Sequence, residues 1–440
     1  MRIRKTLKIG FLLIILMLLD LTRARTSDDQ LPRVYYNQNH YLEPLNLRLS
    51  NHLSNFNYSA YIDRSVKRFM NRWELNGVSM AVVKDERLVF ARGYGFADVE
   101  NKIEVDPGHL FRIASASKLI TGIAVMKLVE EGKLSLSDKV FGKEGILNKY
   151  KLKARDRRLN DITVEHLLRH TGGWTQRYGD PAFYSLDIAR KTNQPAPATI
   201  RSYIDFIASR RLHFTPGTRR SYSNMGYMLL GEVIAQSSGM SYEEYVKMAI
   251  LHPLGINDMH IGRSLSSEKR FNEVRYYEQE GSLPIRSCYG TGEIVPKSDG
   301  GNNIELLGAA GGWIASPAEM ARLVVAVNGT SKRKKDILQP ESIQKMTKSI
   351  RGFAPFGWKG TLSNGTWWRT GSMAGTSTMI MKYPDGTIWV FLVNTSSWKG
   401  SMFPSEIKKL MARILRRVKD RWPDHDLFEF YSPKEILAAY

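Results

Sequence analysis

The sequence predicts an α+β fold, in which an antiparallel sheet is flanked by helices and interrupted by an inserted all-helical lobe. Strand hairpins are predicted near both ends of the chain, and helical patterns dominate from about residue 140 to 300. The 440 residues are enough to build a large core in two lobes. We therefore expect one domain over 57–425, with a sheet lobe made of 57–140 and 300–425. The cleft between the lobes is the expected place for a site.

The N-terminus has the pattern of a signal peptide over residues 1–25. Four basic residues precede an apolar run from Ile9 to Leu19, which is as long as a signal-peptide core and short for a membrane span. We expect secretion or entry into the secretory pathway, with a membrane anchor or a transit peptide as alternatives. Residues 26–56 are polar and predict an irregular arm, and residues 426–440 a C-terminal tail.

The first part of the sheet lobe predicts a helix, a hairpin and a second helix. Apolar residues recur at helical spacing over 59–75, and strands over 78–83 and 88–91 flank a polar turn. From Ser115 to Gly132 the sequence is apolar on nearly every face, which is typical of a buried helix.

The middle of the chain carries clear helix-start signals. Thr163 to Gly173 predicts a short capped helix, and Ser241 and Ser316 each precede a glutamate by three residues, as in capping boxes. These signals support the helical lobe over 140–300.

The C-terminal part predicts a hairpin and a final helix. Strands over 377–383 and 387–394 flank a Pro-Asp-Gly turn. The helix over 405–420 has one apolar and one basic face. Packing on the sheet is favoured over attachment to a membrane surface.

The chain is basic, with a formal net charge of +21, part of which lies in residues 1–25. This charge suits an anionic surface, such as a cell-wall polymer or lipid headgroups, although a solvated surface explains it more simply. The basic clusters are local and no nucleic-acid motif is present, so we expect no nucleic-acid partner. The single cysteine, Cys288, excludes internal disulfides. Four sequons permit glycosylation at Asn57, Asn328, Asn364 and Asn394.

Ser115 and Lys118 are the first candidate catalytic pair. The spacing Ser-x-x-Lys occurs six times in the chain, but only Ser115 opens a buried helix. Helical spacing places both side chains on one face, close enough to touch. A serine needs a neighbouring base to become a nucleophile, and a lysine serves as that base when its neutral form is accessible.

Two further segments carry candidate site residues. Tyr222 and Asn224 lie on a Pro/Gly loop that leads into a helix. Such a tyrosine can act as a general base near cations and the asparagine can donate to a substrate carbonyl, although packing alone also explains Tyr222. The run from Arg369 through Thr370 and Gly371 to Ser372 precedes the last hairpin, where glycine permits close approach to the strand backbone.

Together, these three segments resemble the motifs of the serine β-lactamase and penicillin-binding-protein superfamily, most closely its class C branch. The resemblance extends from about residue 60 to 420. It implies a β-lactamase/transpeptidase-like fold with an antiparallel sheet of the five-stranded type. It also implies hydrolysis of an ester, an amide or a peptide through an acyl-enzyme, without metal or cofactor.

The resemblance also implies roles for single residues. Ser115 would be acylated, Lys118 would accept its proton, and Tyr222 would relay protons to the leaving group and activate water. Asn224 would orient the substrate, and the backbone N–H groups of Ser115 and Ser372 would form an oxyanion hole.

Arg369 departs from the family pattern, which has lysine or histidine there. Arginine keeps the charge and can bind a carboxylate bidentately, but it cannot deprotonate. We therefore expect hydrolysis that is slow or altered in substrate preference, and a small substrate that can carry a carboxylate.

Other functions stay open at this stage. An acyltransferase would use the same acyl-enzyme, and a catalytically weak scaffold or binding protein would keep the fold. His166 and His170 have a spacing that metals use, but the sequence offers no matching third ligand, so we expect no metal site.

Overall fold

The computed structural model describes residues 44–330, 333, 335–350 and 352–429. The predicted signal peptide, most of the predicted arm and most of the predicted tail lie outside the described residues. None of the described helices is long and apolar enough to cross a membrane.

In the described part of the chain, seven antiparallel strands form the main sheet. Its five long strands are β1 (Gly77–Lys84), β2 (Arg87–Asp98), β10 (Trp367–Met373), β11 (Thr376–Lys382) and β12 (Ile388–Val393), and its short edge strands are β3 (Ile103–Glu104) and β9 (Gly360–Thr361). The strand order is β3-β2-β1-β12-β11-β10-β9. The N-terminal hairpin and the C-terminal strands join where Val78 in β1 lies opposite Val393 in β12. This confirms the predicted antiparallel sheet.

Shorter strands form two small sheets. They are β4 (Phe111–Arg112), β5 (His260–Ile261) and β8 (Trp313–Ala315) in one, and β6 (Ile285–Arg286) with β7 (Ile294–Val295) in the other. The segment 140–300 therefore combines helices with short strands and loops rather than being all-helical, because it contributes β5, β6 and β7. Two-residue strands are too short to show the alternation that predicts a strand from sequence.

The helices surround the main sheet and fill the middle segment. Their bounds are α1 (Leu45–Arg48), α2 (Ser59–Trp73), α3 (Ser117–Glu130), α4 (Val164–Leu168), α5 (Ser185–Lys191), α6 (Ile200–Ala208), α7 (Asn224–Ser238), α8 (Tyr242–Val246), α9 (Ile304–Gly311), α10 (Pro317–Val325), α11 (Pro340–Thr347) and α12 (Pro404–Val418). The described part of the predicted arm is not irregular throughout, since it contains α1 and buries Leu45 and Leu49 in the core.

Two apolar cores lie on opposite faces of the main sheet. In β1, Met80 and Val82 belong to one core, whereas Ala81 and Val83 belong to the other, as the period of two in a strand requires. α2 and α12 pack on the first face, so the last helix covers the sheet. α3 is buried over nearly its whole length in the second core, as its apolar sequence predicts.

Of the two predicted capping boxes, one forms completely and the other forms in part. At Ser241 the capping box is complete, because the hydroxyl accepts from Glu244 N and the Glu244 carboxylate accepts from Ser241 N. At Ser316 only half of the box forms. The hydroxyl accepts from Glu319 N at 3.1 Å, but the Glu319 carboxylate accepts from Asp258 N instead.

The four sequons differ in exposure. Asn57 and Asn364 are exposed, whereas Asn328 and Asn394 are buried. Asn394 also donates its side-chain amide to Phe96 O. Glycosylation therefore stays a prediction for Asn57 and Asn364 alone.

Candidate active site

Ser115 lies in a tight turn at the entrance to α3. A 3-10 turn at Ala114–Ala116 precedes the helix, and Ala114 has a φ of +48°, which is unfavourable for a residue other than glycine. The Ser117 hydroxyl stabilises this turn by donating to Ala114 O at 2.7 Å and accepting from Trp313 N at 3.1 Å. The turn thus presents Ser115 at a helix N-terminus.

Lys118 is fully buried beneath Ser115. Its Nζ donates to Asn224 Oδ1 at 2.6 Å and to Ala310 O at 2.5 Å, and it lies 3.5 Å from Ser115 Oγ. Burial, assisted by the charge of Arg369, lowers the pKa of Lys118 from 10.5 to about 8. The neutral amine is therefore accessible near neutral pH.

Tyr222 is the second group in contact with the Ser115 hydroxyl. Its phenol oxygen hydrogen-bonds with Ser115 Oγ at 2.8 Å. Burial acts to raise the pKa of Tyr222, but the charges of Lys118 and Arg369 outweigh it and lower this pKa to about 8. The two groups titrate as a pair, and either of them in its base form can accept the proton of Ser115.

Arg369 provides the fixed charge at this centre. Its Nε donates to Ser115 O at 2.7 Å and its Nη2 to the Tyr222 hydroxyl at 3.4 Å. The residue is only 2% exposed. Because the guanidinium is buried and already bonded, its geometry does not favour the bidentate carboxylate docking expected from the sequence.

Strand β10 brings the third motif against the Ser115 turn. A Cβ added at Gly371 would lie 2.2 Å from Ile113 O and 3.1 Å from Ser115 N, so only glycine allows this approach. Ser372 follows in the same strand, and among the described residues its buried hydroxyl has no hydrogen-bond partner. Thr370 is half-buried, and no hydrogen bond within the described residues joins its side chain to the other predicted site residues.

Asn224 is held from two sides at the start of α7. While its Oδ1 accepts from Lys118, its Nδ2 donates to Asp180 Oδ2 at 2.6 Å. Asp180 also accepts from the Gln176 side chain. Sequence reasoning missed Asp180, because nothing in its local sequence marks it as a neighbour of α7.

His170 is a second residue whose contact with the site was not predicted. Its ring centroid lies 4.6 Å from that of Tyr222, and its Nδ1 accepts from Ser223 N at 3.2 Å. Burial, together with the charges of Lys118 and Arg369, holds the pKa of His170 well below its usual value. A neutral imidazole therefore packs beside the tyrosine.

The two candidate metal-binding histidines contact different groups. His170 contacts the Tyr222 loop, whereas His166 Nδ1 accepts from Thr163 N at 3.3 Å in a helix cap. The residues that the structure describes contain no group of three or more His, Cys, Asp and Glu side chains that could hold a metal ion.

A comparison with protein families identifies the family to which the chain belongs. The β-lactamase family model matches residues 62–406, which is more than half of the chain and includes all three motifs. The chain belongs to the β-lactamase family. This is a family of serine hydrolases, and the superfamily expected from the sequence is confirmed.

A curated relative matches part of the chain. Protein flp of Staphylococcus aureus strain N315 is 30% identical over 226 residues, which cover 51% of this chain and 42% of the relative. The match therefore spans less than half the length of that relative.

Solved structures of other proteins share the fold. A penicillin-binding protein homologue from Pyrococcus abyssi is 27% identical, with a TM-score of 0.61 over 82% of this chain and 77% of its own. A D-amino acid amidase from Ochrobactrum anthropi SV3, complexed with D-phenylalanine, is 20% identical, with a TM-score of 0.64 over 83% of this chain and 100% of its own. At that identity the second likeness shows the fold alone.

Proposed function

We propose that this chain is a serine hydrolase that cleaves ester or amide bonds of small molecules or short peptides through an acyl-enzyme on Ser115. One observation carries the proposal. The Tyr222 hydroxyl and the Lys118 amine lie 2.8 and 3.5 Å from Ser115 Oγ, and each has a pKa of about 8. A serine in contact with a base whose pKa is near the working pH is the arrangement that nucleophilic catalysis requires.

Acylation begins when Ser115 Oγ attacks the substrate carbonyl carbon. Its proton passes to the pair formed by Tyr222 and Lys118, and the carbonyl oxygen becomes an oxyanion that accepts from the N–H groups of Ser115 and Ser372. As the tetrahedral intermediate collapses, the bond to the leaving group breaks. Tyr222 returns the proton to that group, and the acyl part stays on Ser115.

Deacylation repeats these steps with water. Tyr222 accepts a proton from the water molecule, whose oxygen attacks the ester carbonyl. The carboxylic acid then leaves and Ser115 Oγ regains a proton. Arg369 stabilises the phenolate in both halves without exchanging a proton itself.

Covalent labelling tests the nucleophile directly. We expect intact-mass measurement to show one fluorophosphonate adduct on the wild type and none on Ser115→Ala. Ser405→Ala is the matched control, because Ser405 belongs to another Ser-x-x-Lys pair, on the first turn of α12. Equal labelling rates for Ser115→Ala and wild type would overturn the assignment, and no labelling of either protein would favour a scaffold.

Turnover tests the reaction class. Short-chain p-nitrophenyl esters and D-amino-acid amides form the substrate panel, since one structural neighbour is a D-amino acid amidase. We expect Ser115→Ala to lose hydrolysis of every active member of the panel.

A further inference from the structure

A cavity of about 530 Å³ lies directly beside Tyr222 and has no part in the steps above. Tyr222 and Ser223 line its inner end, and this volume lies within the range of small-molecule sites. Tyr222 relates the cavity to the nucleophile, because it lines the cavity and its hydroxyl hydrogen-bonds Ser115 Oγ at 2.8 Å.

Aromatic and apolar side chains form most of this cavity. Trp174, Ile207 and Met225 are buried in its wall, and Phe206 and Tyr178 are more exposed. The Tyr178 ring lies 5.8 Å from that of His213, which also lines the cavity. Such walls hold the apolar part of a ligand by removing it from water.

Three arginines add positive charge at the exposed side of the cavity. Arg155, Arg210 and Arg211 all line it and all are exposed. Arg210 lies over the Phe206 ring, with its guanidinium carbon 5.1 Å from the ring centroid. Within the residues that the structure describes, none of the three arginines forms an ion pair.

The acidic residue in the lining offsets only part of this charge, because three arginines share the cavity with one carboxylate. Asp180 already accepts from Asn224 Nδ2, from the Gln176 side chain and from Ala182 N. Arg369 cannot act as the anion site, because it is buried against Ser115 and Tyr222. The exposed arginines of this cavity are therefore available to bind an anion.

We propose that this cavity binds a part of the substrate that is apolar along its length and ends in a carboxylate. The inference rests on the proposed hydrolase function and assigns Arg210 and Arg211 as residues that determine specificity. A planar guanidinium donates two parallel hydrogen bonds to a carboxylate, and the aromatic walls hold the carbon chain between that carboxylate and the scissile bond.

Matched substrates with and without the charge test this proposal. One pair is the mono-p-nitrophenyl ester of adipic acid and p-nitrophenyl hexanoate, which differ in the acyl part. The other pair is the hexanoyl ester of 4-hydroxyphenylacetate and that of 4-methylphenol, which differ in the leaving part. In at least one pair we expect kcat/KM to favour the anionic member about tenfold or more at low salt, and less at high salt.

Charge reversal assigns the preference to the two arginines. In Arg210→Glu/Arg211→Glu the ratio of anionic to neutral kcat/KM should fall by about tenfold or more. The matched control is Arg413→Glu/Arg416→Glu, which makes the same change on the exposed side of α12 and should keep the wild-type ratio. Equal rates within both pairs for the wild type, or the same ratio in both double variants, would overturn the proposal.

A binding measurement separates this proposal from the proposed hydrolysis. In Ser115→Ala, ligand-observed NMR should show tighter binding of adipic acid monoamide than of hexanamide, and Arg210→Glu/Arg211→Glu should abolish the difference. Hydrolysis without any charge preference would support the proposed hydrolase function and contradict the carboxylate site. Selective binding without hydrolysis and without labelling of Ser115 would support the carboxylate site and contradict the proposed hydrolase function.

Discussion

Arg369 shows how one side chain sets the chemistry of its neighbours. Its charge contributes to lowering the pKa of both Lys118 and Tyr222, and its Nε holds the Ser115 carbonyl. An arginine stays charged at every pH at which the protein is folded. The residue therefore supplies electrostatic support, while proton transfer falls to Lys118 and Tyr222.

Arg369→Gln should move the pH dependence of hydrolysis to higher pH. For the wild type we expect kcat/KM to rise with pH through an apparent pKa of about 8, because the base form of the Lys118–Tyr222 pair is required. Without the charge of Arg369, both pKa values rise, so the rise in kcat/KM should move up by about one pH unit. Arg369→Lys is the control, since it keeps the charge. An unmoved profile in Arg369→Gln would contradict this account.

Asp180→Asn should have the opposite effect on the same profile. The negative charge of Asp180 raises the pKa of Lys118, so its removal should shift the profile to lower pH. Asn224 also loses a charged acceptor for its Nδ2, and we expect kcat/KM to fall about tenfold. The exposed Asp187 provides the control, Asp187→Asn. A shift to higher pH would show that Asp180 does not act through Lys118.

At the scale of elements, the site depends on how closely β10 approaches the turn before α3. Gly371 is the contact point, since a side chain there would overlap Ile113 O. Displacing the strand would separate Ser372 from Ser115, and the two proposed oxyanion donors would no longer converge.

Gly371→Ala should therefore abolish most activity. We expect kcat/KM to fall by about a hundredfold or more, as on loss of an oxyanion donor, with a lower melting temperature as well. Gly226→Ala is the matched control. It lies inside α7, where an added Cβ would have its nearest neighbours at 3.7 Å, and the substitution should be neutral or stabilising. Wild-type esterase activity in Gly371→Ala would show that the contact is dispensable.

At the scale of the whole molecule, a pair of buried carboxyl groups joins distant parts of the chain. Asp258 lies just before β5 and accepts from Asn46 in α1, and Glu319 in α10 accepts from Asp258 N. Burial and mutual repulsion raise the pKa of Glu319 to about 7, and burial raises that of Asp258. Ionising this pair in the folded protein is therefore unfavourable.

The contribution of Glu319 to the stability of the protein should fall as the pH rises from 5 to 8. The folded pKa of Glu319 is above its unfolded value, so its stabilising contribution is complete below about pH 4.5 and is lost as pH rises through about 7. We expect this contribution to the free energy of unfolding to fall by roughly 1 to 3 kcal/mol. In urea titrations across this range, the free energy of unfolding of the wild type should fall relative to that of Glu319→Gln as the pH rises. The exposed Glu341→Gln should behave as wild type, and an equal slope in both variants would refute the assignment.

Long patterned segments were predictable from sequence, whereas short pairings were not. The helix over 59–75 and the hairpin over 377–394 correspond to α2 and to β11 with β12. Each is long enough for its apolar period to specify which face is buried. The two-residue strands β5, β6 and β7 form because other segments lie beside them in the fold. The few residues of each strand do not indicate which segment that will be.

The residues of the candidate site likewise include some that the sequence predicted and some that it did not. Ser115, Lys118, Tyr222 and the run at 369–372 were found because each carries a local motif. Asp180 and His170 carry none, and their contacts with Asn224 and Tyr222 arise only when the middle segment folds against α7. The arginines beside Tyr222 were likewise indistinguishable from other surface charges until the cavity was formed.

By itself the sequence determined the fold class, the buried helix behind Ser115 and the order of the three motifs, because those properties follow from local periodicity and spacing. Only the tertiary structure decided the electrostatics. The lowered pKa values of Lys118 and Tyr222 depend on burial and on Arg369, which lies more than 140 positions away from Tyr222 along the chain. Burial and the proximity of charges are properties of three-dimensional packing. The lowered pKa of Lys118, which lets it act as a base toward Ser115, therefore exists only in the folded chain.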